Sequence, residues 1–295
     1  MGGRRKSNRK RLGVAAVAGC AAMVAVPALL NVAHGASVPD QETAVPAYSY
    51  PGSGGWGTLT STDPAAGLIV ANPDSGPGQD KDDNYADAME QAHGSGSKVL
   101  GYVDTGYFGT SGWDAPGGNS SMSSWLKAIE KSVDTWYDTY GGSGLGGVFF
   151  DDALNKCGPR SGSTQYVDLY KKIRDYVKSK SSSAVVVINP GTGTDQCYAD
   201  AADTLVTFEG SYASYRSFKP QSWEESADSS KIWHLIYETS ASQMPQAISL
   251  SKQRNAGYVY VTDDDNTSAD GQEWGNPWDS VASYWPKEAA AVTKR

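Results

Sequence analysis

Eight apolar runs of strand length recur along the chain, each bounded by glycine, proline or polar clusters. They are Val45 to Tyr50, Gly67 to Ala71, Lys98 to Val103, Gly147 to Asp151, Ala184 to Asn189, Thr204 to Glu209, Lys231 to Tyr237 and Gly257 to Thr262. A run that is apolar at successive rather than alternate positions marks a strand covered on both faces, as parallel strands are. Between several runs the apolar residues take helical spacing. Helices are predicted over Asp82 to Ala92, Ser121 to Tyr140, Ser163 to Lys178, Gln243 to Arg254 and Ser280 to Val292. In the third of these, Tyr166, Leu169, Tyr170, Ile173 and Val177 share a face. After the first, fifth and sixth runs the chain is short or irregular and carries no clear helix signal. Strands alternating with helices in a chain of this size predict an α/β fold, a single (β/α)8 TIM-type barrel, with an open doubly wound parallel sheet as the alternative. The Gly- and Ser-rich pieces Gly52 to Gly57 and Thr110 to Ser124 read as loops, not as linkers between domains.

The first 36 residues break this pattern. Arg4, Arg5, Lys6, Arg9, Lys10 and Arg11 precede an apolar stretch from Leu12 to Leu30, and Ala33, Gly35 and Ala36 supply small residues at its end. That is the layout of a secretory signal peptide, which makes residues 1–36 a leader, residues 37–295 the mature domain and the protein extracellular. An uncleaved membrane anchor and lipidation at Cys20 are the competing readings. Loss of the leader removes six of 25 basic residues and none of the 33 acidic ones, leaving 19 against 33, a net charge of −14. Such a surface disfavours nucleic acid and anionic lipid and tolerates cationic polymers. No basic patch with interleaved aromatics is present, so neither a nucleic-acid nor a membrane partner is expected after cleavage.

Only Cys157 and Cys197 survive in the mature chain, after the fourth and fifth runs respectively. Outside the cell such a pair reads as one disulfide stapling neighbouring loops, with two free thiols as the alternative. Only His93 and His234 remain, one beside Gly94 at a helix end and the other within the apolar run Ile232 to Ile236. Both settings are structural. A Ser–His triad and a multi-histidine metal site are therefore poorly supplied, and no phosphate-binding glycine loop stands at a strand-to-helix junction. No cofactor or metal is expected, and the chemistry falls to carboxylates.

Two runs end abruptly in an acid: Gly147-Val148-Phe149-Phe150-Asp151-Asp152 and Thr204-Leu205-Val206-Thr207-Phe208-Glu209. The C-terminal ends of parallel strands hold the active sites of α/β folds, and two carboxylates on separate strands suggest a glycosidase pair. The bland alternative is that each acid caps the helix that follows. Other run ends carry Tyr48 and Tyr50, Asn72, Asp104 and Tyr107, Asn189, Tyr212, Tyr237 and Glu238, then Asp263 and Asp264. Trp56, Trp113, Trp223, Trp274 and Trp278 fall in or near the same loops, and flat aromatic faces suit the C–H faces of sugars.

These pieces, in order, resemble the spherulin 4 family, glycoside hydrolase family 135, related to the endo-α-1,4-galactosaminidases of family 114. The resemblance is carried by Val45-Pro46-Ala47-Tyr48-Ser49-Tyr50-Pro51, Val99-Leu100-Gly101-Tyr102-Val103-Asp104-Thr105-Gly106-Tyr107 and Gly147 to Asp152. Further matches are Asn189-Pro190-Gly191, Phe208-Glu209-Gly210-Ser211-Tyr212, Tyr258 to Asp264 and Asn276-Pro277-Trp278-Asp279. The resemblance implies a secreted (β/α)8 barrel acting as an endo-glycoside hydrolase on α-1,4-linked galactosamine or N-acetylgalactosamine polymers such as galactosaminogalactan.

By motif, Asp151 takes the place of the first catalytic carboxylate and Glu209 that of its partner. The expected chemistry is retention: Asp151 attacks the anomeric carbon while Glu209, its pKa raised by burial, first protonates the leaving oxygen and then activates water. An inverting pair is the alternative. The family motif commonly reads Asp-Glu where this chain has Asp151-Asp152, and neighbours on a strand point to opposite sides. Asp152 therefore faces the substrate only where the strand has already bent, there to hold a sugar hydroxyl or tune its neighbour. Tyr48, Asp104, Asn189, Tyr212 and Asp263 are the candidate substrate contacts. The protein is expected to act as a monomer on a polysaccharide. A carbohydrate-binding or cell-surface stress protein that keeps the barrel without turnover is the reading from another functional class.

Overall fold

The computed structural model describes residues 40–267 and 275–294. The leader predicted over 1–36, with Cys20, lies outside the described residues, as does Trp274. Eight strands form a closed barrel in sequence order: β1 (Glu42–Ala47), β2 (Leu68–Ala71), β3 (Lys98–Asp104), β4 (Leu145–Asp151), β5 (Val185–Ile188), β6 (Thr204–Ser211), β7 (Ile232–Tyr237) and β8 (Tyr258–Val261). All neighbours are parallel, and β8 closes onto β1 through Glu42 opposite Tyr258 and Thr43 opposite Val259. The helices are α1 (Gly55–Ser61), α2 (Asp83–Gly94), α3 (Met122–Tyr140), α4 (Gln165–Lys180), α5 (Tyr212–Tyr215), α6 (Ser222–Ser226), α7 (Met244–Gln253) and α8 (Trp285–Val292). The closed barrel, not the open sheet, is the architecture.

The longest helix shows how sequence sets packing. Ser121 caps α3 by accepting the Ser124 N–H, and Trp125, Ile129, Val133, Trp136 and Tyr140 then bury one face at helical spacing. Trp136 lies flat on β3, donating its indole N–H to the Tyr102 carbonyl at 2.7 Å. Gly101 makes room for it: a Cβ there would stand 2.4 Å from the indole. Each fully buried ring of this kind contributes about 1.5–3 kcal/mol, and Gly101→Ala would force α3 off the barrel.

Two elements are displaced by three residues or more from the sequence expectation. The first strand ends at Ala47, because the Tyr48 N–H leaves the sheet and bonds the Trp278 carbonyl at 3.1 Å. The last helix begins at Trp285 instead of Ser280, with Pro286 in its first turn, where a missing N–H costs nothing. Ahead of it, Ser280 and Ser283 are tied to Asp264 and Asp263. Where no helix was legible the elements are indeed short: a one-turn helix over Pro51–Ser53 and then α1, another turn over Gln196–Asp200, and the pair α5 and α6. Cys157 and Cys197 form a disulfide with Cα atoms 6.0 Å apart, joining the loop after β4 to the turn after β5.

Candidate active site

Parallel strands bring all their C-terminal ends to one mouth of the barrel, and residue parity decides which side chains enter it. In β4, Phe149 packs inside the barrel against Trp233 and Tyr102, with ring centroids 5.5 and 6.3 Å away. Asp151, two residues on, shares that inward side and ends the strand opposite Asp104. In β6 the register shifts between Val206 and Phe208. Phe208 then packs on Tyr215, Phe218 and His234, which leaves Glu209 turned to the opposite, inner side.

Asn189, the residue after β5, joins the two acids. Its Nδ2 donates to Asp151 Oδ1 and to Glu209 Oε2, both at 2.8 Å. The Gly191 N–H donates to Asn189 Oδ1 at 2.8 Å and fixes which way the amide faces. Two bonds of 2.8 Å meeting at one nitrogen hold the carboxyl oxygens no more than 5.6 Å apart, twice 2.8 Å. With ordinary amide geometry the separation is about 5 Å. On its other oxygen, Glu209 accepts the Trp278 indole N–H at 3.1 Å.

Burial raises both carboxyl groups above their ordinary range. Asp151 is pushed up to about 8, by desolvation first and then by the charges of Glu209 and Asp152. Glu209 is raised by desolvation, against the pull of the N–H groups of Asn189 and Trp278, which favour its charged form. Two half-buried carboxyls this close hold one proton between them near neutrality. The sequence expectation puts that proton on Glu209 with Asp151 ionised. Asn189 donates to both acids, Trp278 donates to Glu209 and Tyr102 favours the charged form of Asp151, so the proton belongs to the pair.

Asp152 does lie beyond the bend. Its φ of +50° takes it off the strand, a conformation that Asp tolerates better than most residues. The Tyr107 hydroxyl donates to its Oδ1 at 3.0 Å, and the Tyr107 N–H donates to its carbonyl at 2.8 Å. Tyr107 and Phe108 are themselves left-handed, with φ of +50° and +49°. Gly106 lets that turn pass, since a Cβ there would stand 2.1 Å from Trp125. The Asp104 carboxyl accepts the Gly106 N–H at 2.6 Å, and its pKa is raised by burial and by Asp152. The Tyr48 ring meets Tyr102 edge-on at 5.6 Å, and burial and then Asp151 raise its phenol.

Asp104, Asn189 and Tyr48 thus stand with the acidic pair, whereas two other expected contacts do not. Tyr212 is buried on the outer side, its hydroxyl donating to Gln246 at 2.8 Å. Asp263 is exposed and accepts from the Ser283 backbone at 2.9 Å. Three site residues were not among the expected contacts: Tyr102, Tyr107 and Trp278. Parity with Asp104 could have found Tyr102. Of the rim tryptophans, Trp56 and Trp223 are buried, while Trp113 is 54% exposed. His234 is fully buried and paired with the Tyr215 hydroxyl at 2.8 Å, its pKa pushed down to about 3 by burial and then Arg254. Among the described residues, no group of three or more His, Cys, Asp or Glu is arranged to hold a metal ion.

Comparison with known proteins gives the family and the fold. The family described as spherulation-specific family 4 matches residues 42–292. Spherulin-4 of Physarum polycephalum is 29% identical over 259 residues, covering 84% of this chain and 69% of that protein. The crystal structure of Aspergillus clavatus Sph3 in complex with GalNAc superposes with a TM-score of 0.67 at 21% identity, over 87% of this chain and 98% of that one. A psychrophilic family 10 endo-β-1,4-xylanase reaches a TM-score of 0.50 at 11% identity, over 86% and 97%. The barrel is of the kind that glycoside hydrolases use.

Proposed function

The chain belongs to the spherulation-specific family 4, and from that premise we propose that it is a secreted endo-glycoside hydrolase acting on α-1,4-linked galactosamine or N-acetylgalactosamine polymers with retention. The observation that carries the reading is the single Asn189 amide bonded to both Asp151 and Glu209. It keeps one oxygen of each carboxyl within 5.6 Å of the other, in keeping with the roughly 5–5.5 Å spacing of retaining pairs. The GalNAc bound to Aspergillus clavatus Sph3 supports the choice of sugar.

In the first step Asp151 attacks the anomeric carbon while the glycosidic C–O bond breaks and Glu209 gives its proton to the departing oxygen. In the second, Glu209 takes a proton from water, whose oxygen attacks the same carbon and releases Asp151. The shared proton must therefore sit on Glu209 as the first step begins. The groups that act on Asp104, Asp151, Asp152 and Glu209 are one another and neutral donors. An amino sugar bearing positive charge beside Asp151 and Asp152 stabilises their ionised forms and leaves the shared proton to Glu209. The surplus of acidic residues, 33 against 25 basic, suits a partly deacetylated, cationic glycan.

A reducing-end assay on partly deacetylated poly-galactosamine tests the proposal. New reducing ends from the wild type, absent in Glu209→Gln, are expected. Binding without any new ends would favour the non-catalytic reading.

A further inference from the structure

We propose that Trp113, reached through Tyr107, is an aromatic subsite that stacks on a sugar unit of the glycan chain beyond the unit being cleaved. The inference rests on the hydrolase reading for its ligand class and adds a second binding point to it.

The loop between β3 and α3 leaves the same mouth of the barrel as Asp151, because β3 and β4 are parallel neighbours. Its first turn is held in a costly conformation, with two successive non-glycine residues left-handed. That turn puts the Tyr107 hydroxyl on Asp152 at 3.0 Å. The Tyr107 ring then lies 5.9 Å, centroid to centroid, from the indole of Trp113. Trp113 is thus one tyrosyl ring removed from the acidic cluster, the place of a neighbouring sugar and not of the reacting one.

The loop also fixes Trp113 without covering it. Its carbonyl accepts the buried Trp125 indole N–H at 3.0 Å, which pins the backbone to α3. The residue is 54% exposed and its ring is inclined 57° to Tyr107, so the phenol does not stack on the indole face. Tyr50, the other large exposed apolar residue among those described, bonds Asp82 and Asn84 through its hydroxyl. An exposed indole on a pinned loop, one tyrosyl ring from Asp152, offers a flat apolar face to the C–H face of a pyranose.

The test compares wild type, W113A and W113F by affinity electrophoresis through partly deacetylated poly-N-acetylgalactosamine. Hydrolysis of that polymer is measured beside hydrolysis of an aryl galactosaminide with a single sugar. Because the main chain makes the bond to Trp125, W113A should melt like the wild type. It should bind and cleave the polymer roughly three- to tenfold less well, with the single-sugar substrate unaffected and W113F largely restoring the polymer. Equal polymer binding by W113A and wild type would overturn the subsite, as would an equal loss on both substrates, or a wild type retained by no polymer. A wild type that binds the polymer through Trp113 without cutting it would instead overturn the hydrolase reading and leave the subsite standing.

Discussion

Asp151 and Glu209, 58 positions apart in the chain, present carboxyl oxygens no more than 5.6 Å apart, because one amide nitrogen bonds each at 2.8 Å. Such a pair is costly to bury, and a fold that keeps it gives up stability at neutral pH for a shared, transferable proton.

Replacing either acid with its amide should therefore stabilise the protein while stopping turnover. The folded pKa of Asp151 lies above its unfolded value, so the stability it contributes is fully present below about pH 4 and is lost as pH rises through about 8. Asp151→Asn cannot ionise and escapes that loss. Its gain over wild type should be about 1–2 kcal/mol at pH 8 and vanish near pH 4. Denaturant melts at the two pH values check this; a variant less stable than wild type at pH 8 would contradict it. Activity should fall on the order of a thousandfold.

The pH–rate profile should show an alkaline limb near pH 8, where the pair loses its shared proton. Rates measured from pH 4 to 10 at polymer concentrations well below KM, which report the free enzyme, decide this. A rate that climbs steadily past pH 9 would mean that no carboxyl proton is needed.

Asp152→Asn keeps the left-handed backbone, which Asn tolerates as well as Asp, and can still accept from Tyr107. It removes one negative charge and little else. We expect KM for the deacetylated polymer to rise about fivefold, with a smaller change for the fully acetylated one. Equal effects on both would show that the charge does not read the amine.

The Cys157–Cys197 bridge spans 40 positions and contributes about 4 kcal/mol through the unfolded chain. Replacing both cysteines with alanine should lower Tm by roughly 10 °C. An unchanged Tm would remove the bridge from the stability account.

Much of the barrel was legible because strands buried on both faces read as plain apolar runs, and Asp151 and Glu209 end two of them. The edges were harder. Tyr48 looks like part of its strand, yet its N–H is claimed by a carbonyl 230 residues later, at Trp278. The bond from Trp278 to Glu209 likewise joins positions 69 apart, a contact that exists only once the barrel has closed. Tyr212 follows Glu209 closely in sequence but sits at the start of α5, where its ring turns to Gln246. Nearness to a strand end thus marks the mouth of the barrel, while the direction of each side chain depends on parity, bends and loop contacts.

The most direct measurement is time-resolved NMR of the anomeric protons during cleavage of the α-1,4-linked polymer. The paired acids predict that the α-anomer of the new reducing end appears first and mutarotates afterwards. First appearance of the β-anomer would contradict retention, and the absence of any new anomeric signal would contradict hydrolysis altogether.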